Sequence, residues 1–457
     1  MLARDTIQST IRTFNGITLD FGRQHFDAKE FERLIALAKE KKILESFGAM
    51  CAGAVVNKSE NRQALHTALR DPGTGGPYAK EIHETFDRVC TFADMIRNGE
   101  WTGASGEAIT DVLNVGIGGS DLGPKVVYEA LRPSVPKIRA HFLSAADPIL
   151  FDRIISQLDP HKTVVVISSK SFNTVETRAN AEEVIAWLKR SGVSNDGLKH
   201  HVVTVSANPN AYEIYGLPKE NHYPIWEWVG GRFSVWSAIG LPVAISLGSD
   251  VFREFLQGAH EMDIHAKTEE VENNLPVLLA LFEYFNCHEK EAPNYFFLAY
   301  DERLRRFSEW LQQLEMESLG KVVKLDGTPF VGKGSPSVCG GHGNEGQHSY
   351  YQWVREGAWS NSIDMCLVSS ASSNMLVKLQ RANYEGQLEA LSKKECAFST
   401  NAISSLVLEE LRPKMLGELM SMYEHKTALL GFLFNVNTFD QPGVEYGKVL
   451  SLQVCQK

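Results

Sequence analysis

Two short stretches of the chain combine residue types suited to holding an anion. Asn114-Val-Gly-Ile-Gly-Gly-Ser-Asp121 follows an apolar run at 112–115 and opens a helical stretch at 124–131. Backbone N–H groups at a strand-to-helix turn of this kind converge on a negative charge. The pattern is not a dinucleotide fingerprint, because GxGxxG counted from Gly116 requires glycine where Asp121 stands. Nor is it a P-loop, since Pro124-Lys125 replaces the Lys-Ser/Thr that should follow Gly123. Alone, the segment is better read as a tight strand-to-helix turn. The second stretch, Ser168-Ser-Lys-Ser-Phe-Asn-Thr174, places four hydroxyls and one ammonium in seven residues, again between an apolar run and a helix. That set suits a phosphate monoester, although a Ser/Thr-rich helix cap has the same composition. Two such turns in consecutive βα units favour an anion site.

Groups able to move protons lie farther along. Arg232, in Val229-Gly-Gly-Arg-Phe-Ser234, follows two glycines that permit close backbone approach to a ligand; on spacing alone a solvated turn fits as well. Glu317 lies in Leu311-Gln-Gln-Leu-Glu-Met-Glu-Ser-Leu319, where Phe307, Trp310, Leu311 and Leu314 form an apolar helical stripe. Glu317 falls at the margin of that stripe, one turn beyond Gln313, where a carboxylate loses part of its hydration and can serve as a general base; an ordinary solvated glutamate is the plainer reading. His348 sits in the polar loop Gly343-Asn-Glu-Gly-Gln-His-Ser349, suited to acid–base work near neutral pH. Pro442 is expected to open a terminal helix on which Gln441, Glu445 and Lys448 share one face. Metal ligation is disfavoured: His260 and His265 are one residue too far apart for HExxH.

These groups are carried by two alternating series of elements. Apolar runs at 112–115, 162–168 and 201–206 alternate with helical 124–131 and 180–189; runs at 295–300, 365–369 and 403–408 alternate with helical 303–319 and 374–391. Continuous β-branched runs between helices imply mainly parallel sheets covered on both faces. The expected division is a helical N-terminal segment (1–100), an α/β domain (101–250), a helical connector (251–285), a second α/β domain (286–432) and a helical C-terminal segment (433–457). The first hundred residues carry no visible chemistry. Hydrophobic residues at 43% and charged ones at 22% imply packed cores. With 46 basic against 56 acidic residues, the net charge of −10 disfavours non-specific nucleic-acid binding. The start MLARDTIQST has no apolar signal core, and the longest apolar stretch, 275–285, is too short to span a bilayer. Seven cysteines lack CxxC spacing, so reduced thiols and a cytoplasmic location are expected.

Read in order, VGIGGSDLGP, SSKSFNTVET, GGRFSVWSAIGLP, QQLEMES-GK, GQHSYYQ and FDQPGVEYGK resemble blocks of the glucose-6-phosphate isomerase (phosphoglucose isomerase) family. The resemblance runs from Val112 to the C-terminal region. It implies two tandem sugar-isomerase (SIS-type) domains, a homodimer with shared active sites, and cofactor- and metal-independent interconversion of glucose 6-phosphate and fructose 6-phosphate in glycolysis and gluconeogenesis. By the same resemblance Gly119, Ser120, Ser169, Lys170, Ser171 and Thr174 hold the phosphate, and Gln313 and Gln441 contact substrate. Glu317 is the proton-shuttling base, Arg232 stabilises the enediolate, and His348, supplied by the neighbouring subunit, assists ring opening beside Lys448. The chain departs from the pattern at Leu319, where MESNGK has asparagine, at Asn344-Glu345 in place of Thr-Asn, and at Ser171 and Asn173 in place of threonines. Two alternatives stand beside this reading: a phosphosugar isomerase that also accepts mannose 6-phosphate, and a non-catalytic sugar-phosphate sensor.

Overall fold

The computed structural model describes residues 7, 9–71, 76, 78–332, 334–393 and 401–455. Its strands are β1 (Ile11–Phe14), β2 (Ile17–Arg23), β3 (Asp111–Val115), β4 (Arg139–Leu143), β5 (Thr163–Ser168), β6 (Val202–Ser206), β7 (His222–Pro224), β8 (Asn294–Ala299), β9 (Ser337–His342), β10 (Asn361–Val368) and β11 (Asn401–Leu408). They belong to two compact units, each made of two chain segments: 1–63 with 257–440, and 64–256 with 441–457.

The unit of 64–256 and 441–457 is built on a five-stranded sheet in the order β4-β3-β5-β6-β7, parallel throughout. Strands β3, β5 and β6 are buried along their whole length. This is why they read as continuous Val/Ile/Leu runs instead of alternating ones. Leu113, Val115, Val165 and Ile167 pack with Ala181, Val184 and Leu188 of the helix Val175–Arg190 in one core. The chain leaves β3 toward β4 on one side and leaves β5 toward β6 on the other. The adjacent C-terminal ends of β3 and β5 therefore flank a topological switch point, the place where open α/β sheets form a ligand crevice.

The other unit holds a six-stranded sheet in the order β1-β2-β11-β10-β8-β9. Strands β8 to β11 are parallel to one another, whereas β2 runs antiparallel to β11 and β1 antiparallel to β2. Helices Leu275–Glu283, Phe307–Leu319 and Ile43–Cys51 pack on Pro413–Phe434, which is buried along almost its whole length. Both sheets are mainly parallel and flanked by helices, as the two apolar series predict.

The first hundred residues correct the sequence reading. They begin not with a helical surface but with the β1–β2 hairpin, whose turn residues Asn15 and Gly16 both have positive φ (45° and 85°). Asn-Gly between alternating apolar residues is a strong hairpin signal; the helix comes after it, at Ala28–Glu40. The segment then divides at residue 63 between the two units. The 251–285 connector is likewise two helices, Ser249–Thr268 and Leu275–Glu283. The final stretch 441–457 groups with 64–256, although it is far from them in sequence.

Candidate active site

At the switch point the two anion-suited turns are pinned by buried polar groups. Asn114 Nδ2 donates to Ser120 O (2.9 Å), and Ser168 Oγ donates to Asn114 Oδ1 (3.2 Å). The turn Gly118–Ser120 packs directly on a second turn, Gly231–Phe233. A Cβ at Gly119 would lie 2.0 Å from Gly231 O and 2.8 Å from Arg232 N, so position 119 admits only glycine. A Cβ at Gly231, by contrast, meets nothing.

Hydroxyls of the second turn do not serve as helix caps. Thr174 is the N-cap residue of Val175–Arg190, yet its side chain makes no capping bond. Its Oγ1 lies instead 3.4 Å from Ser169 Oγ. Ser171 Oγ accepts from Asn173 N at 3.3 Å. Between them Phe172, though buried, takes a left-handed φ of 59°. Such strain at a bulky residue is found mainly where a functional loop is over-determined by its surroundings. The plain helix-cap reading therefore loses ground to an open hydroxyl turn.

Lys170 reaches across to the chain before Arg232. Its Nζ donates to Glu227 O (2.8 Å) and Val229 O (3.0 Å), and the Glu227 carboxylate lies 3.5 Å away. Arg232 is only 3% exposed, which contradicts a solvated turn. Its Nη1 donates to Gln441 Oε1 at 3.1 Å, and the guanidinium lies 5.5 Å from the Phe233 ring centre. One unit thus brings together the glycine turn, the hydroxyl turn, Lys170, Arg232 and Gln441. Lys448 stands apart from Gln441: it is exposed and pairs with Glu445 at 2.7 Å. Gln441 is not on the face of the terminal helix, because Pro442–Val444 forms a 3-10 turn and the α-helix starts only at Glu445.

The other unit carries Gln313, Glu317 and His348. Helix Phe307–Leu319 buries Phe307, Trp310, Leu311, Leu314, Glu315 and Leu319, and leaves Gln313 and Glu317 half-buried at the edge of that face, as the periodicity predicts. Buried Leu319 explains its own departure from asparagine: the side chain belongs to the core. His348 follows the short helix Gly343–Gln347 and is exposed. Glu345 in the same loop pairs with Arg305.

Glu315, two positions before Glu317, points the opposite way, into a cluster that sequence reading missed. Lys426, 1% exposed, lies 2.5 Å from Glu283 and 2.7 Å from Glu315, with its Nζ 3.7 Å from the Tyr295 ring centre. Tyr295 and Tyr423 both donate to Asp364 Oδ2, at 2.6 and 2.7 Å. Burial and then Glu283 push the Glu315 carboxyl well above the usual carboxylate range. Burial alone would lower Lys426, but Glu283 and Glu315 outweigh it and hold the ammonium above its ordinary value. Among the described residues no group of three or more His, Cys, Asp or Glu side chains has metal-binding geometry.

Comparison with known proteins agrees with the fold. The family model described as phosphoglucose isomerase matches residues 20–395 and 367–457. The glucose-6-phosphate isomerase of Shewanella halifaxensis is 36% identical over 477 residues, covering 97% of this chain and 88% of that protein. The enzyme of the same name from Pseudomonas aeruginosa is 37% identical, covering 97% and 86%. Among solved structures, a glucose-6-phosphate isomerase from Chlamydia trachomatis superposes with a TM-score of 0.87 at 29% identity, covering 98% of this chain and 90% of that one. Family match, sequence relatives and fold all span nearly the whole length: the chain belongs to the phosphoglucose isomerase family.

Proposed function

We infer that the chain is an aldose–ketose isomerase interconverting glucose 6-phosphate and fructose 6-phosphate through a cis-enediol. Family membership over nearly the full chain carries this reading. The phosphate is assigned to Gly119, Ser120, Ser169, Lys170, Ser171 and Thr174, whose turns flank a sheet switch point. Binding the ester there provides energy that orients the reacting carbons at a distance. Glu317 takes the proton from C2 of the open aldose. The C–H electron pair becomes the C1–C2 double bond while O1 gains a proton. Return of the proton to C1, with loss of the O2 proton, completes the ketose. Buried Arg232 stabilises the enediolate charge, for which a fixed, poorly hydrated cation is most effective. Gln313 and Gln441 contact the sugar hydroxyls, and His348 and Lys448 assist ring opening.

The active form is a homodimer in the cytoplasm. Two features support association: His348 is exposed, and the terminal helix Glu445–Cys455 leaves Tyr446, Val449, Leu450 and Val454 uncovered. Cys90, Cys287, Cys339 and Cys366 are thiols, which fits a reducing compartment. Among the described residues no helix is long and apolar enough to cross a membrane. Fructose 6-phosphate conversion, followed with a coupled glucose-6-phosphate dehydrogenase, tests the activity, and mannose 6-phosphate run alongside tests breadth. Turnover of fructose 6-phosphate is expected. A folded protein that binds it without turnover would instead be a sensor.

A further inference from the structure

We propose that Lys321 is a positioning residue for Glu317, acting through the main chain of the base; this rests on Glu317 being the base. The last carbonyls of a helix lack partners within it, and here Lys321 supplies two of them. Its backbone N donates to Leu319 O (2.8 Å), and its Nζ donates to the carbonyl of Glu317 itself (3.0 Å). The same ammonium donates to Asp440 O (2.5 Å) and pairs with Asp440 Oδ1 (2.9 Å). Both side chains are nearly enclosed, at 10% and 11% exposure, so water screens the pair little.

Asp440 is an anchor fixed from other directions. Its Oδ2 accepts from Ser59 Oγ (2.5 Å) and Asn437 Nδ2 (2.8 Å), and Asn437 Nδ2 also reaches Asn57 Oδ1 (3.0 Å). The helix end has no slack around it. A Cβ at Gly320 would meet Met316 O at 2.5 Å, and one at Gly334 would meet Leu319 O at 2.2 Å. Leu325 N donates to Asn435 O (2.8 Å), so the chain after the helix is laced to the segment before Asp440. A cation at a helix C-terminus is also favourable to the helix dipole. Lys321 therefore ties the main chain of Glu317 to a rigid polar hub. The ammonium bonds Glu317 O and both the carbonyl and the carboxylate of Asp440. The geometry assigns Lys321 to aiming the carboxylate, not to exchanging protons with the sugar.

The test compares wild type, Lys321→Met, Lys321→Arg and Glu317→Gln as full chains, measuring melting temperature, kcat and KM for fructose 6-phosphate. A base displaced by a fraction of an ångström loses rate and not substrate. Lys321→Met is thus expected to lower kcat about 10- to 100-fold with KM within about twofold of wild type. Lys321→Arg, which restores the cation, is expected to recover most of that loss. A folded Lys321→Met with wild-type kcat, or one whose loss lies in KM, overturns the proposal. If Lys321→Met does not fold, Lys321→Ala, which removes the bonds of the ammonium to the Glu317 carbonyl and to Asp440, is read by the same criteria. Full activity in Glu317→Gln overturns the base assignment and this proposal with it. An inactive Glu317→Gln beside a fully active Lys321→Met overturns the positioning role alone.

Discussion

Lys426→Met and Glu315→Gln probe the buried face of the helix that carries Glu317, and the two should differ sharply. Two carboxyl groups, Glu283 and Glu315, flank the Lys426 ammonium within the core, and Asp364, held by Tyr295 and Tyr423, adds a further negative influence. Burial and then Glu283 push the Glu315 carboxyl well above the usual carboxylate range, so the closer pair, Lys426 with Glu283 at 2.5 Å, is expected to carry most of the ion pairing. Removing the cation leaves a buried carboxylate without its partner, at a cost of about 3–5 kcal/mol. A glutamine at 315 keeps the shape of the side chain and leaves the Lys426–Glu283 pair in place. Its carbonyl can still accept from Lys426 at the position of Oε1, and Oε2 has no hydrogen-bond partner to lose. That change should cost about 1 kcal/mol or less. At roughly 2–4 °C per kcal/mol for a unit of this size, Lys426→Met lowers the melting temperature by about 6–20 °C and Glu315→Gln by under about 4 °C. Scanning calorimetry at pH 7 with equal protein concentrations measures both. Glu315→Gln as damaging as Lys426→Met would mean that Glu315 is ionised and that the charge assignment of the cluster is wrong.

Three further outcomes follow from the geometry. Gly119→Ala drives a methyl into Gly231 O, so it should raise KM for fructose 6-phosphate at least about tenfold, or block folding; wild-type kinetics would refute the tight turn contact. Lys170→Ala should act mainly on KM, by about tenfold or more, since it removes a charge-assisted phosphate contact; an unchanged KM counts against the phosphate assignment. Burial and Glu261 push the Glu418 carboxyl up to about 7, against the help of Asn15. The folded state then keeps a proton that the unfolded chain has released, so this group makes stability fall as pH rises from about 4.5 to 7. Glu418→Gln should flatten that slope, and denaturation midpoints at several pH values will show whether it does.

How much of this was legible in the sequence depended on the range of the interactions involved. The inner strands β3, β5, β6, β8, β10 and β11 were readable because burial on two faces writes itself as apolar runs, whereas the partly exposed β4 and β9 and the three-residue β7 carry no such run. The marginal place of Glu317 was readable because helical periodicity is local. The β1–β2 hairpin was readable in principle from Asn15-Gly16, but the amphipathic helix beside it dominated the reading of the first hundred residues. Long-range partners were not readable. Lys321 meets Asp440 across 119 positions, and Lys426 meets Glu315 across 111. No residue type announces such a partnership, and Lys426 beside Glu424 and His425 reads as an ordinary polar stretch until the burial of its helix is seen. Gln441 was placed on the terminal helix by counting, whereas Pro442-Gly443 breaks that count and leaves the amide on Arg232.

The central claim is that Glu317 moves the proton between C2 and C1. Isomerisation of fructose 6-phosphate in deuterated water tests it most directly, with deuterium at C2 of the glucose 6-phosphate read by NMR. Wild type should place deuterium at C2, and folded Glu317→Gln should lose about 10²- to 10⁴-fold in both turnover and incorporation. Unaltered incorporation by Glu317→Gln would contradict the account and transfer the base role to another residue.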